Sequence, residues 1–250
     1  LDRLFGAPSM GMDRYTAEGV FDLPYEIAHE HIAHVAVDLP VPVGFWRSVG
    51  HSYTGFFLEG FLNDVAAAAK LDPLAMRRDL LKAHPRELKV LDTAAQAAGW
   101  GQPLAPAADG APRARGLALH PSFGSVVAQV VEVSLKDGKP RVHRVVCAVD
   151  CGTVVNPAIV TQQMESAIIF GLSAALYSQI QIKDGQVVQS NFPDYPVLKM
   201  AETPVIETHI VPSTAEPTGV GEVGVPPIAP AVAHAVAQLT GKPVRQLPMV

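Results

Sequence analysis

The chain has 250 residues, of which 48% are hydrophobic and 17% charged, with a formal net charge of −5. That is enough to bury a core in one or two domains, and the composition excludes a disordered chain. Nineteen Lys and Arg stand against 24 Asp and Glu with no basic run, which excludes nucleic acid and anionic membrane surfaces as main partners. A mean hydropathy of +0.21 implies that another chain covers part of the surface. No segment reaches the ~18 apolar residues of a membrane span. No secretory leader opens the sequence, and Leu1 in place of Met points to an internal start or a cleaved product.

Residues 1–50 mix Pro, Gly and short apolar runs and are expected to form strands and loops, with a strand inside Glu30–Asp38. His29 and His31 sit at strand spacing and His34 falls on the opposite face. That pattern suits ordinary surface or core histidines better than a metal site. From Phe56 to Lys70 the period becomes helical, and Phe57, Leu58, Phe61, Leu62 and Val65 form an apolar stripe expected to face a core. Asp72-Pro73 starts a second helix, with Asp as cap and Pro in the first turn, directing Leu74, Met76, Leu80 and Leu81 inward. A third helix over Arg86–Ala98 ends at Gly99. The Pro-, Ala- and Gly-rich stretch from Gly101 to Ala114 is the candidate boundary between domains over residues 1–110 and 111–250.

Ser125–Leu135 and Arg141–Val149 read as Val-rich strands joined by Lys136-Asp137-Gly138-Lys139, a strong hairpin signal. A long helix follows over Pro157–Leu176, then a short hairpin at Lys183-Asp184-Gly185 and a strand over Val205–Val211. A last helix over Ile228–Leu239 ends at Gly241. No repeat is evident, and the mixture of hairpins and helices predicts an α+β fold. Cys147 and Cys151 point the same way if their strand stays regular. They are too few for an iron–sulfur cluster and show no zinc pattern, so they are expected to be small buried residues.

The segment Gly219-Val220-Gly221-Glu222-Val223-Gly224-Val225-Pro226-Pro227-Ile228-Ala229-Pro230 places one carboxylate in a glycine-bracketed turn before an Ala/Val-rich helix. Gly221 and Gly224 are expected to supply backbone conformations that a β-carbon forbids and to let a ligand approach the main chain. A carboxylate there, near the positive end of a helix, can act as a catalytic base or as a plain helix cap. A phosphate-binding turn is disfavoured, because there is no Gly-Lys-Ser/Thr and Glu222 would repel the anion.

This turn resembles the active-site glutamate motif of the xanthine oxidase family of molybdenum hydroxylases, in the isoquinoline 1-oxidoreductase and aldehyde oxidase branch of its large molybdopterin-binding subunit. Three further segments match in order: Pro42-Val43-Gly44-Phe45-Trp46-Arg47-Ser48-Val49-Gly50-His51-Ser52; Val149-Asp150-Cys151-Gly152-Thr153-Val154-Val155-Asn156-Pro157 with Gln163 and Glu165; and Asn191-Phe192-Pro193-Asp194-Tyr195-Pro196. The resemblance runs from about Pro40 onward. Val223 stands where the family has Pro and Ser166 where it has Gly. The family's earlier glycine-rich cofactor segments are absent, so the chain resembles the C-terminal part of that subunit.

The resemblance implies a hydroxylation at molybdenum held by a pterin dithiolene, not by protein side chains. Glu222 would be the general base for attack of water-derived oxygen on an aldehyde or an electron-poor N-heterocycle. Arg47, Ser48, Val49, Gly50, Gln163 and Gly221 would contact the cofactor, Phe45 and Trp46 would line the substrate funnel, and Glu165 would be structural. The implied cofactor is molybdopterin in its cytosine dinucleotide form. Implied partners are a chain carrying the upstream half, a small 2Fe-2S subunit, and flavin (FAD), haem or cytochrome c chains, in the bacterial periplasm or cytoplasm. The competing reading is a non-catalytic assembly module of the same fold.

Overall fold

The computed structural model describes residues 14–35, 37 and 41–250. A helical part comes first: α1 (Arg14–Ala17), α2 (His51–Ala69), α3 (Pro73–Leu80) and α4 (Pro85–Ala97). An antiparallel meander follows, of β1 (Arg113–Ser122), β2 (Ser125–Lys136) and β3 (Lys139–Asp150). After α5 (Pro157–Leu176) and a two-stranded ribbon, β4 (Ile182–Lys183) and β5 (Gln186–Val187), strand β6 (Val205–Ile210) pairs parallel to β3. The sheet order is β1-β2-β3-β6, and α6 (Ile228–Thr240) closes the fold. The α+β expectation holds.

Side-chain alternation sorts the sheet into two buried faces. Val127, Val131, Val145, Cys147 and Val149 pack with Cys151 against Met164, Ile168 and Leu172 of α5 and Ile228, Val232 and Ala235 of α6. Val126, Ala128, Val130, Val146 and Ala148 face the other way, onto Val90, Leu91, Ala94 and Ala95 of α4 and Leu62 and Ala66 of α2. Both cysteines are thus core residues, and burial pushes the Cys147 thiol up to about 12. Strand β1 is an edge strand, yet its outward amides are covered. Leu117 N–H donates to His234 Nδ1 at 3.1 Å, and Leu119 N–H to Glu59 Oε2 at 3.0 Å. Glu59 is fully buried and is matched by Arg77 at 2.9 Å and by the Tyr25 hydroxyl at 2.7 Å, so no buried charge is left alone.

Helix starts and turns follow local chemistry. Asp72 accepts from Ala75 N–H, and Asn156 from Ile159 N–H, each just before a proline. Asp137-Gly138 adopts φ of 52° and 77°, and Asp184-Gly185 of 52° and 76°, as two-residue hairpins require.

Three expectations are corrected, and one strand was missed. No strand occurs among the described residues of 30–37, and Ala36 and Asp38 lie outside them; Val35 and Val37 are solvent-exposed with no partner strand to pair them. The stripe on α2 is split: Leu62 is buried and Leu58 packs against the core, but Phe57 and Phe61 are 63% and 60% exposed, and the buried face is formed by His51, Thr54, Phe56, Glu59, Leu62 and Ala66. The buried polar groups of that face are matched by ion pairs and hydrogen bonds, which hydrophobicity patterns do not register. Helix α5 is long and apolar enough to cross a membrane by length and composition, but its apolar face belongs to the sheet core. Strand β1 was not expected, because it abuts the Pro/Ala/Gly segment and contains Pro121 near its end.

Candidate active site

Two segments meet at the site: the turn Trp46–Gly50 that leads into α2, and the turn Gly219–Val225 that leads into α6. Ser48 N–H donates to Glu222 Oε1 at 2.9 Å, and the Ser48 hydroxyl donates to the Glu222 carbonyl at 2.6 Å. Arg47 lies alongside. Its Nε donates to Gly221 O at 2.8 Å, its Nη1 to Ser166 Oγ at 3.1 Å and its Nη2 to Gln163 Oε1 at 3.3 Å, with a second Nη2 contact to Gly221 O. One guanidinium therefore ties the glutamate turn to α5. Burial lowers the Arg47 pKa, and the Glu222 charge opposes that.

The Trp46–Gly50 turn is strained. Ser48 and Val49 both have positive φ, 73° and 45°, and neither is a glycine. Left-handed geometry costs an L-residue roughly 1–2 kcal/mol, and a β-branched residue visits it rarely. The surroundings hold it there. Val49 N–H donates to Trp46 O at 2.8 Å, and Gly50 N–H to Glu18 Oε1 at 2.9 Å. A β-carbon on Gly50 would stand 2.1 Å from Tyr15 O, so only glycine fits. Glu18 Oε2 is 3.9 Å from His51 Nε2, and His51 Nδ1 is 2.9 Å from His120 Nε2 in the buried layer below. Burial pushes His120 down to about 3, so this pair is neutral near pH 7.

The Glu222 carboxylate is bound by the Ser48 amide, which lies two residues before the N-cap of α2. Gly221 and Gly224 are not among the residues of positive φ. Gly224 is needed for packing, since a β-carbon there would lie 2.9 Å from Ala167 Cβ. Gly221 has no atom within 4 Å of its would-be β-carbon, so there is open space on its side-chain side, while its carbonyl is held by Arg47. Val223, the departure from the family motif, is fully buried in the core under α5 and α6.

The structure thus gathers Trp46, Arg47, Ser48, Val49, Gly50, Gln163, Gly221 and Glu222 in one place. Trp46 stacks on Phe170 at 4.7 Å between ring centroids. Phe45 turns the other way, edge-on to Tyr15 at 5.6 Å. Glu165 is half-buried on α5. Two residues were missed. Ser166, noted only as a departure, accepts from Arg47, and Phe170 carries both Trp46 and, 5.5 Å from its centroid, the Arg47 guanidinium. The signal was present, because Gln163, Ser166 and Phe170 share one face of a helix.

The model of the molybdopterin cofactor-binding domain matches residues 69–204, more than half of the chain. The chain belongs to the molybdopterin-binding subunits of the xanthine oxidase family. It is 36% identical over 227 residues to isoquinoline 1-oxidoreductase subunit beta of Brevundimonas diminuta, covering 90% of this chain and 29% of that protein. To the membrane-bound aldehyde dehydrogenase [pyrroloquinoline-quinone] of Gluconacetobacter polyoxogenes it is 30% identical over 226 residues, covering 82% of this chain and 29% of that protein. The chain spans under a third of the length of these relatives. The aldehyde oxidoreductase of Desulfovibrio gigas shares the fold at a TM-score of 0.64 and 11% identity, over 82% of this chain and 40% of the solved one.

The residues of this family member fit the edge of such a cofactor. Gly221 leaves room for a ligand beside Glu222, and the Gln163 amide nitrogen and the partly exposed Arg47 guanidinium, held in place by their mutual hydrogen bond, add polar groups at that edge.

Proposed function

We propose that the chain is the glutamate-bearing part of a molybdenum hydroxylase large subunit that oxidises an aldehyde or an electron-poor N-heterocycle, with Glu222 as general base. The observation that carries this reading is the 2.9 Å bond from Ser48 N–H to Glu222 Oε1. It fixes one carboxylate oxygen and leaves Oε2, which has no hydrogen bond among the described residues, to accept a proton. The Ser48 hydroxyl and Arg47 hold the main chain on both sides of the base, so the carboxylate need not reorganise during reaction.

Gln163 and Arg47 would hold the cofactor through side chains, and Ser48, Val49, Gly50 and Gly221 through backbone groups. When bound, the cofactor supplies the two-electron oxidant and the water-derived oxygen. Trp46, fixed on Phe170, would wall the substrate side and exclude water, with Phe45 farther out. The cytosine dinucleotide form, an upstream cofactor-binding chain, a 2Fe-2S subunit and flavin, haem or cytochrome c carriers belong to the same proposal. So does the division near residue 110 into a first and a second cofactor-binding lobe, with the helices of the first side packed onto the sheet of the second.

The test is metal content and turnover of the assembly purified with its partners. Stoichiometric molybdenum is expected, together with a Glu222→Gln variant that keeps its metal and loses turnover by roughly two to four orders of magnitude. Near-normal turnover in that variant sinks the base assignment. An assembly that holds the upstream half and no molybdenum favours the non-catalytic module, and one that holds a quinone favours the chemistry named for the Gluconacetobacter relative.

A further inference from the structure

We propose that Glu18 is a positioning residue for the Glu222 carboxylate: it holds the strained Ser48–Val49 pair through the Gly50 amide and thereby aims the Ser48 N–H at Glu222. This rests on the reading of Glu222 as the base. A left-handed pair that includes valine does not persist unless its neighbours over-determine it. The start of the pair is pinned locally, by Val49 N–H on Trp46 O. Its end is pinned from outside the turn, by Glu18 Oε1 on Gly50 N–H at 2.9 Å. The orientation of that peptide plane sets Val49 ψ, and with it where Ser48 points.

Glu18 is itself braced. Its carbonyl accepts from Thr54 Oγ1 at 2.9 Å, which locks it to the first turn of α2. Its other carboxylate oxygen faces His51 Nε2 at 3.9 Å. In neutral rings, one N–H is shared between His51 Nδ1 and His120 Nε2, and His51 Nε2 faces Glu18. His120 Nδ1 is buried without a hydrogen-bond partner, so the stack ends there. Glu18, His51 and His120 thus line up behind the turn, and none of the three is hydrogen-bonded to Glu222 itself.

The role is one of geometry, not charge, and this decides the test. In the intact assembly, Glu18→Asp keeps the charge but is one methylene too short to reach Gly50 N–H. Glu18→Gln loses the charge and keeps an oxygen at the same reach. Expected for Glu18→Asp are a fall in kcat per bound molybdenum of roughly 10- to 100-fold with little change in KM, and faster hydrogen exchange at the Ser48 and Gly50 amides. Glu18→Gln restores most of both. Unchanged kcat per molybdenum in Glu18→Asp, or Glu18→Gln as impaired as Glu18→Asp, overturns the proposal. Fast exchange of the Ser48 and Gly50 amides in the unmodified assembly overturns it without any variant. If Glu222→Gln keeps its turnover, the base reading fails on its own, and the exchange data still decide whether Glu18 holds the turn.

Discussion

Two turns in this molecule use the same backbone device for opposite ends. Asp137-Gly138 and Ser48-Val49 each place two consecutive residues at positive φ. The first joins β2 to β3 in solvent, and its residue types accept that geometry at little cost. The second is built from residues that resist it, is held from both ends, and delivers one N–H to Glu222. A relaxed turn only reverses the chain, whereas a strained one fixes the direction of a single donor. Strain that its surroundings must hold in place therefore marks the functional turn, and the ease of the hairpin marks the structural one.

Acid should separate the two most strongly. His120 and His234 are held neutral by burial, at about 3 and about 4. Their contribution to stability is fully present above the ordinary histidine pKa and is lost as pH falls below it, because only the unfolded chain then takes up the protons. The loss is about 1.4 kcal/mol per pH unit for each. The melting temperature of the assembly is expected to drop between pH 6.5 and 4.5, with His234→Gln removing one share of the slope. Exchange at residues 46–50 should quicken beyond its intrinsic pH dependence, while exchange at the hairpin should follow it. A flat melting profile would show that these histidines already titrate in the fold.

Gly50→Ala comes next. Its β-carbon collides with Tyr15 O, so denaturant melting should show a loss of roughly 3 kcal/mol together with lost turnover. The smallest effect belongs to Gly138→Ala, where nothing lies within 4 Å and only the positive φ is strained. About 1–2 kcal/mol is expected there, with turnover per molybdenum unchanged. Equal damage from both glycine substitutions would erase the distinction between the turns.

The same contrast governs what could be read from sequence. Asp-Gly hairpins, the Asp72 cap and the Gly241 terminus follow from local preferences and were legible. So was the carboxylate in its glycine-rich turn. The left-handed Ser48-Val49 pair carries no local signature, because its cause lies in Glu18 and Tyr15, some thirty positions earlier. Strand β1 was obscured by its neighbouring prolines. The stripe Phe57, Leu58, Phe61, Leu62 and Val65 predicted the helix and, through Leu58 and Leu62, part of its buried side, but missed that Glu59, Thr54 and His51 extend that side through polar contacts.

Ser48 and Glu222 stand 174 positions apart, as do Arg47 and Gly221. Closing so long a loop costs roughly 4–5 kcal/mol of chain entropy, against far less for the meander β1–β3, whose neighbours are adjacent in sequence. As the chain leaves the ribosome, the helices and the meander can form while the base is still unmade. A chain halted after α5 would lack both Glu222 and the α6 side chains that complete one face of the core. Synthesis through Glu222 is thus a condition for the site, and the two turns can meet only after the meander that lies between them in sequence has been made.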